Sequence, residues 1–266
     1  MLFTAVNTGT TEYITAGNIT AVHGFTTRID GVSQGYLKGL NLGYNRGDES
    51  ANVVENYHIL GEAMGFDPDC LVLTRQVHED VVRRVTKGDH CSLDHRDYPA
   101  CDGLITNEPG TGLMIFSADC TPILLHDPQT GAVGACHAGW RGTAASIAEK
   151  TALAMIREFG CKPENLCAAI GPNIGPCCFE TDADVPKAML ESYGEEAGAF
   201  IRPNGNKFYV NLKGLNALSL VRAGVKDIAI APHCTACDPE RFWSHRKVGD
   251  ARGSQGAVII CKEAKK

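Results

Sequence analysis

The chain has 266 residues, 44% of them hydrophobic, and a formal net charge of −6 at pH 7. This length fits one large α/β domain or two small ones, and the apolar content allows a sizeable core. The acidic balance disfavours nucleic-acid binding. No apolar run is long enough to span a bilayer and the N-terminus lacks the pattern of a signal peptide, so we expect a cytoplasmic protein without membrane contacts.

Twelve cysteines are many for such a chain. Without an export signal, reduced thiols are a better interpretation than disulfides, and we expect most of them to be small buried side chains. Cys234 and Cys237 form a Cys-x-x-Cys pair, a weak zinc signal because no second pair follows it. His90, Cys91 and His95 lie in a polar loop without a fixed framework, which disfavours a metal site there.

The first third of the chain predicts strands around one helix. Residues 19–25 form an apolar run, in which His23 is interpreted as a core histidine rather than a ligand. Apolar residues at helical spacing predict a helix from Ser50 to Met64, and Gly65 is placed to end it. Residues 71–74 predict a strand, and residues 81–85 alternate like a second one.

The central stretch places reactive side chains at the ends of predicted strands. Residues 113–116 and 132–136 are apolar runs typical of buried strands, with another short strand at 123–125. The first run leads to Cys120 and the second to His137, while the strand at 71–74 leads to His78. A thiol and two imidazoles at strand ends can build a site and are good zinc ligands.

The remaining chain predicts further helices and strands. Residues 143–159 have the strongest helical pattern, and Asn211 is expected to cap a later helix. The other predicted elements are a strand at 166–170, a helix from Asp182 or Asp184 to Tyr193, a strand at 208–210, a helix at 212–223, and strands at 228–230 and 257–261. No repeat or linker divides them, so we expect one domain with about four helices.

From spacing alone, His78, Cys120 and His137 are only a plausible metal-binding trio. They are too far apart in sequence for a short metal motif. Histidine and cysteine are often buried without being ligands, so three unrelated buried residues remain the equal alternative.

An ordered set of motifs carries a family resemblance. The matching segments are Leu40-Asn41-Leu42-Gly43, Gly47-Asp48, Gln76-Val77-His78, Ala118-Asp119-Cys120, Cys136-His137-Ala138-Gly139-Trp140-Arg141-Gly142, Ile170-Gly171-Pro172-Asn173-Ile174-Gly175 and Cys234-Thr235. With these, the sequence resembles the purine nucleoside phosphorylase family formerly labelled multicopper polyphenol oxidase or laccase-domain proteins. The resemblance covers nearly the whole chain. It implies a layered α/β (α+β) fold, a single domain over residues 1–266 with mixed β-sheets flanked by helices.

The resemblance also implies an activity and a metal. The family's zinc ligands correspond to His78, Cys120 and His137, which would then be the catalytic centre; copper is the other metal that this family suggests. Members phosphorolyse adenosine, inosine and methylthioadenosine, and the family is linked to adenosine deamination. The implied partners are purine nucleosides and phosphate, with no obligatory protein partner.

Polar residues in the matching motifs are candidates for substrate contacts. A guanidinium can hold two phosphate oxygens at once, which favours Arg46 and Arg141 as phosphate ligands. Asn41, Gln76 and Asn173 are candidates for reading the sugar or the base. Asp119 is a candidate proton donor to the leaving purine, although a structural role that orients a ligand is the stronger interpretation.

The chain departs from the family pattern in two places. Tyr57 follows Asn56 where family members often have arginine. In the tail, Arg252-Gly253 stands in place of a Gly-Arg pair, and His245-Arg246-Lys247 in place of Tyr-Arg-Arg. Arginines at those places are potential phosphate ligands, so the departures bear on how this chain handles an anion.

Three alternatives remain open. Cys120 and His137 would also serve as nucleophile and base of a cysteine hydrolase, a role that zinc ligation of the thiolate excludes. The same trio would suit copper, although the scattered histidines contain none of the His-x-His pairs expected of a laccase for copper-dependent phenol oxidation. A zinc-stabilised binding module without turnover is the third alternative.

Overall fold

The structure, a computed structural model, describes residues 3–93 and 99–262. Its strands are β1 (Phe3–Asn7), β2 (Thr11–Ala16), β3 (Val22–Asp30), β4 (Leu71–Val72), β5 (Val82–Arg84), β6 (Gly103–Thr106), β7 (Gly112–Ser117), β8 (Thr121–His126), β9 (Val133–Ala138), β10 (Cys167–Ile170), β11 (Glu180–Thr181), β12 (Ile201–Asn204), β13 (Lys207–Val210), β14 (Asp227–Ile230) and β15 (Gln255–Ile260). Its α-helices are α1 (Ser50–Met64), α2 (Trp140–Ala144), α3 (Ile147–Phe159), α4 (Asp184–Tyr193), α5 (Leu212–Arg222) and α6 (His245–Val248).

The strands form two large sheets and one small sheet. The first large sheet has the order β1-β2-β3-β15-β7-β4, and the second has the order β14-β10-β8-β9-β6-β5. Most neighbours are antiparallel, but β4 runs parallel to β7, β5 to β6, and β10 to β14. The small sheet is β11-β13-β12. Both large sheets are therefore mixed, as the family resemblance implies.

The core lies on both faces of the large sheets. Along β15, Ala257 and Ile259 pack into the cluster between the two sheets, whereas Val258 and Ile260 pack with residues of α1. Because successive strand residues point to opposite faces, a strand buried on both sides needs a continuous apolar run. This double burial explains the unbroken apolar patterns of the central strands.

Helices cover the outer faces of the sheets. Val53, Tyr57 and Leu60 of α1 cover the first sheet, and α3 and α5 pack against the second. The small sheet packs against α4 through Val185 and Met189. The layers follow the order helix, sheet, sheet, helix, which confirms the expected layered α/β fold.

Several predicted local features are confirmed. Helix α1 has the predicted bounds and ends at Gly65, whose φ of 73° is favourable for glycine. The side chain of Asn211 accepts a hydrogen bond from the Gly214 amide and caps α5. His23 is a buried core residue whose ring nitrogens contact the main chain of Ala16 and Ala21.

The predicted helix over residues 143–159 is wrong as a single element. Helix α2 begins earlier, at Trp140, and a break at Ser146, with a φ of 57°, separates it from α3. The Tyr193 hydroxyl and the Ser146 amide both donate to the Thr143 carbonyl, which in a continuous helix would accept from the amide four residues further on. A tertiary contact thus accompanies the break, and the described residues contain six α-helices rather than about four.

The polar loop after β5 gives no metal site among the residues described. His90 contacts the Thr111 hydroxyl, and Cys91 accepts a hydrogen bond from the Leu73 amide. His95 lies outside the described residues. No helix in the described part of the chain has the length and apolar content to cross a membrane.

Candidate active site and metal centres

Three potential ligands from separate parts of the chain meet at one place. The ligand atoms of His78, Cys120 and His137 all lie within 4.8 Å of one another. Cys120 Sγ is 3.8 Å from His78 Nε2, and the two imidazole rings lie 4.9 Å apart at an angle of 84°. Two imidazoles around one thiol match a Cys/His₂ zinc site.

The second large sheet positions two of these three side chains. Cys120 immediately precedes β8, and His137 lies in the neighbouring β9, opposite Pro122. The sequence placed His137 after the end of its strand, whereas β9 continues to Ala138. His78 lies in the segment after β4 and has a φ of 63°. The third ligand is therefore presented by a turn.

A buried carboxylate fixes that turn and one of the imidazoles. Asp102 is fully buried and accepts hydrogen bonds from the amides of Val77, His78 and Glu79 at 3.0, 3.0 and 3.2 Å. Its Oδ1 also lies 2.8 Å from His137 Nδ1. This contact leaves Nε2 of His137 free to face the other ligands, an arrangement typical of metal-binding histidines.

The electrostatics of the trio favour an anionic sulfur. Burial raises the pKa of Cys120, but the neighbouring His137 and His78 outweigh it and lower that pKa to about 6. Burial lowers the pKa of His137, while the Cys120 thiolate and Asp102 raise it to about 9. The two imidazoles thus favour the thiolate, the form of cysteine that binds metals.

The main chain around the trio is strained and closely packed. Four non-glycine residues have a positive φ in the described part of the chain. Two of them belong to this site: His78 itself, and Asp119, which precedes Cys120 and has a φ of 92°. A Cβ atom on Gly139 would lie 2.8 Å from His78 Cδ2 and 3.2 Å from Cys120 Sγ. Strained main chain of this kind concentrates at functional sites.

The trio lies in a cavity of about 250 Å³. The lining residues are Leu42, Gly43, Tyr44, Asn45, Arg46, Thr74, Arg75, Gln76, His78, Phe116, Ser117, Ala118, Cys120, His137, Arg252 and Ser254. They include three arginines and no aspartate or glutamate. Burial and the nearby charge of Arg46 lower the pKa of Arg252 to about 10. The cavity therefore concentrates positive charge in an acidic chain and is suited to an anion.

With this geometry established, comparison with known proteins identifies the family. The family model described as multi-copper polyphenol oxidoreductase laccase matches residues 22–262. The chain belongs to this laccase-domain family.

Relatives and solved structures agree with the assignment. The chain is 36% identical over 246 residues to the purine nucleoside phosphorylase YlmD of Geobacillus stearothermophilus, covering 90% of this chain and 88% of that protein. It is 37% identical over 246 residues to a purine nucleoside phosphorylase of Deinococcus radiodurans, covering 92% and 90%. The crystal structure of the Geobacillus YlmD superposes with a TM-score of 0.89 at 34% identity, covering 94% of this chain and 96% of that one.

Two of the sequence-predicted substrate residues of this laccase-domain chain line the cavity. Arg46 and Gln76 stand beside the trio. The Gln76 amide is engaged with the main chain of Phe116, because Nε2 donates to its carbonyl at 2.8 Å and Oε1 accepts from its amide at 2.6 Å. Gln76 thus holds the cavity wall at Phe116, and Arg46 belongs to the same lining.

Asn41 and Asn173 do not line the cavity. Asn41 is fully buried, where Oδ1 accepts from the amides of Gly43 and Ser254 and Nδ2 donates to Asp48. It supports Ser254, which does line the cavity. Asn173 is also buried and donates to the Thr121 hydroxyl at 2.7 Å. Their use in reading sugar or base remains a prediction that this placement does not support.

Asp119 and Arg141 also lie outside the cavity lining. The Asp119 carboxylate accepts hydrogen bonds from the Thr235 hydroxyl and the Arg246 amide, each at 2.6 Å. These contacts hold the chain beside Cys120, and a role of Asp119 in substrate binding remains a prediction. Arg141 is exposed, and its guanidinium lies 4.2 Å from the ring centre of Trp140. Phosphate binding by Arg141 therefore remains a prediction, and Arg252 is better placed.

The two departures from the family pattern have different outcomes. Tyr57 is fully buried, and its hydroxyl donates to the Leu42 carbonyl, so this position lies behind the cavity wall. Arg252 lines the cavity together with Arg46. The tail thus contributes a guanidinium to the site despite the altered order of Arg252 and Gly253.

Sequence reasoning missed Asp102 and a second group of ligands. Asp102 precedes the unpredicted strand β6, and a carboxylate just before a short apolar run was the only available signal. The second group consists of Cys177, Cys178, Cys234 and Cys237, whose sulfurs lie within 4.8 Å of one another. The Cys-x-x-Cys pair, a weak zinc signal in the sequence, therefore meets a second pair of cysteines that precedes it in the chain.

The cysteines form no disulfide in the structure and are less buried than expected. All twelve lie in the described residues and are free thiols. Four are buried, namely Cys101, Cys136, Cys161 and Cys261. The prediction of mostly buried cysteines is therefore wrong, and five of the others belong to the two groups of potential metal ligands.

Proposed function

We propose that the protein is a zinc-dependent purine nucleoside phosphorylase that acts on adenosine, inosine and methylthioadenosine. The observation that carries the proposal is the Cys/His₂ group in a cavity shared with Arg46 and Arg252. The similarity to the purine nucleoside phosphorylases of Geobacillus stearothermophilus and Deinococcus radiodurans supports it.

The chemistry of the donor set fits zinc. Cys120 offers a thiolate and His78 its Nε2, while His137 keeps Nε2 available because its Nδ1 faces Asp102. Three protein ligands leave a fourth tetrahedral position open, which is typical of catalytic rather than structural zinc. Zinc bound there would supply a Lewis acid that polarises a substrate oxygen.

The arginines would bind and orient phosphate. A guanidinium presents paired donors that match two phosphate oxygens, and Arg46 and Arg252 lie close enough for one to lower the pKa of the other. Phosphate between them would relieve that repulsion. In phosphorolysis a phosphate oxygen forms a bond to the anomeric carbon while the bond to the purine nitrogen breaks and the purine leaves with the electron pair. Holding the nucleophile against the sugar is what these residues contribute.

Aromatic side chains offer a place for the base. Tyr44 and Phe116 line the same cavity, and the Phe116 main chain is held by Gln76. A purine ring is flat and apolar on its faces, so it packs well against such rings. Asp119 lies outside the lining and is not placed to protonate the leaving purine.

Two other activities use the same groups in different ways. Adenosine deamination requires water at the open position but no phosphate, so the two arginines favour phosphorolysis. A cysteine hydrolase would use Cys120 as nucleophile, His137 as base and Asp102 to orient His137. That mechanism gives no role to His78, which lies 3.8 Å from the same sulfur and favours a metal.

Copper-dependent phenol oxidation requires several copper ions. Among the described residues, the ligand groups are one Cys/His₂ trio and one set of four cysteines. A single Cys/His₂ site is suited to one ion rather than to a multicopper cluster.

The test is turnover of inosine with and without phosphate, with chromatography of hypoxanthine and ribose 1-phosphate. We expect products only with phosphate, and a rise of at least tenfold in KM for phosphate in Arg252→Met and Arg46→Met. Arg157→Met, an exposed change on α3, is the matched control. Inosine formed from adenosine without phosphate would instead establish deamination, and products with an unchanged KM for phosphate would reject the assignment of the arginines.

A further inference from the structure

Four cysteine sulfurs converge outside the cavity that holds the trio. Cys237 Sγ lies 3.5 Å from Cys177 Sγ and 3.4 Å from Cys178 Sγ, and Cys234 completes a set that lies within 4.8 Å. None of the four lines the cavity.

The spacing of the sulfurs matches a single metal ion. A tetrahedral zinc ion with Zn–S distances of about 2.3 Å separates its sulfurs by about 3.8 Å. The observed separations, from 3.4 Å to at most 4.8 Å, lie around that value. An iron–sulfur cluster would hold its cysteines further apart because inorganic sulfide lies between the iron ions.

The fold brings the two cysteine pairs together. Strands β10 and β14 are parallel neighbours, and the segments that follow them leave the same edge of the sheet. The first segment carries Cys177 and Cys178, and the second carries Cys234 and Cys237. The Thr235 amide donates to the Asn173 carbonyl at 2.9 Å and joins the two segments next to the cysteines.

The main chain approaches the sulfurs as it does in metal-bound thiolate sites. The Gly175 amide donates to Cys234 Sγ at 3.1 Å. A Cβ atom on Gly175 would lie 3.2 Å from Cys177 Sγ, so a side chain here would crowd the cluster. A hydrogen bond from an amide stabilises sulfur in its charged form, which is the form that binds metals.

Two cations balance the charge that such a site would carry. Four thiolates around Zn²⁺ leave two negative charges. Lys213 is buried, and its ammonium donates to the carbonyls of Ala231 and His233 beside Cys234. The Arg246 guanidinium donates to the Cys178 carbonyl at 2.8 Å. A buried lysine next to a thiolate cluster avoids leaving either charge without a partner.

We propose that Cys177, Cys178, Cys234 and Cys237 bind one zinc ion in a closed structural site, distinct from the Cys/His₂ trio. Binding releases the protons of those cysteines that are still thiols, and the four sulfurs fill the tetrahedral positions. The ion would link the segment after β10 to the segment after β14. Because the Thr235 hydroxyl also donates to Asp119, this link would also stabilise the chain beside Cys120.

The test measures zinc in a protein whose first site has been removed. The full chain with Cys120→Ala, purified under reductant with zinc and desalted, should retain one zinc per chain. Its X-ray absorption spectrum should show four sulfurs at about 2.3 Å. Adding Cys178→Ala and Cys237→Ala should remove this zinc, whereas adding Cys70→Ala, a half-buried cysteine in neither group, should not.

Other outcomes would overturn the proposal. A Cys120→Ala protein without zinc would do so, as would a spectrum with nitrogen in the first shell. Disulfides among the four cysteines, seen as a loss of four titratable thiols in denaturant, would assign the cluster to redox pairing instead. The X-ray absorption spectrum is recorded on the Cys120→Ala protein, in which the four cysteines are intact. It therefore tests the proposal even if the variant that also carries Cys178→Ala and Cys237→Ala fails to fold. The proposed phosphorylase activity is tested separately, in the protein with Cys120 intact.

Discussion

Replacing Asp102 by asparagine should weaken both zinc binding and folding, because this carboxylate holds His137 and the main chain around His78. The substitution keeps the size of the side chain but removes its charge and turns one oxygen into an NH₂ group. Oδ1 faces the donors of His78 and His137, and Oδ2 faces the amides of Val77 and Glu79. Whichever way the new amide turns, its NH₂ group meets two donors, and two hydrogen bonds are lost.

The size of the effect follows from those contacts. A hydrogen bond to a charged group contributes about 1.5–3 kcal/mol, so the free energy of unfolding of Asp102→Asn should fall by about 3–6 kcal/mol. A carboxylate that orients a metal-binding histidine typically contributes about 10–100-fold to metal affinity. At about 1.4 kcal/mol per tenfold, the loss of zinc binding free energy is about 1.4–2.8 kcal/mol.

Two measurements are needed on the same protein. Zinc affinity is measured by competition with a chelator, and unfolding by denaturant, for wild type and Asp102→Asn. Asp127→Asn is the matched control, because Asp127 is equally buried and accepts the amides of Gln129 and Thr130 at the other end of β8. The control should lose stability and keep its zinc affinity. A folded Asp102→Asn protein whose zinc dissociation constant is within twofold of wild type would refute the role of this carboxylate.

Three further results are expected. Gly139→Ala should lower zinc affinity at least tenfold, because the new Cβ would displace His78 and Cys120. Gly198→Ala is the control and should leave zinc affinity unchanged, because a Cβ there has open space. Equal zinc affinities of the two variants would contradict the packing argument. Iodoacetamide should modify Cys120 only after chelation of the metal, and mass spectrometry that finds equal labelling before and after would favour the cysteine hydrolase. Burial lowers the pKa of His23 in the folded protein, so the unfolded chain binds more protons at acid pH. The free energy of unfolding should therefore fall as the pH drops below about 6.5, by up to about 1.4 kcal/mol at pH 5.5. His23→Gln should reduce this pH dependence of unfolding, and an unchanged slope would contradict the role of His23.

Local patterns in the sequence predicted most of the elements. Helix α1 was found at its observed bounds because its apolar spacing and Gly65 act within one segment. The break at Ser146 was missed, and the Thr143 carbonyl beside it accepts a hydrogen bond from Tyr193, which lies far along the chain. A pattern read within one segment cannot register such a contact.

The site was predictable only in part for a similar reason. Family motifs supplied His78, Cys120 and His137, and the structure brings these three together. Asp102 contacts residues well before and after it in the chain, so the short apolar run beside it does not reveal which groups it holds. The cysteine cluster joins two loops through a contact between parallel strands, so the sequence shows two unrelated pairs.

The position of β15 has a consequence for how the chain folds during synthesis. This strand lies between β3 and β7 and pairs with both, so the first sheet remains in two separate pieces until residues 255–260 are available. Arg252 and Ser254 of the cavity belong to the same late segment. Whereas the β8–β9 hairpin can form early from local contacts, the completed cavity must await the end of translation of this segment.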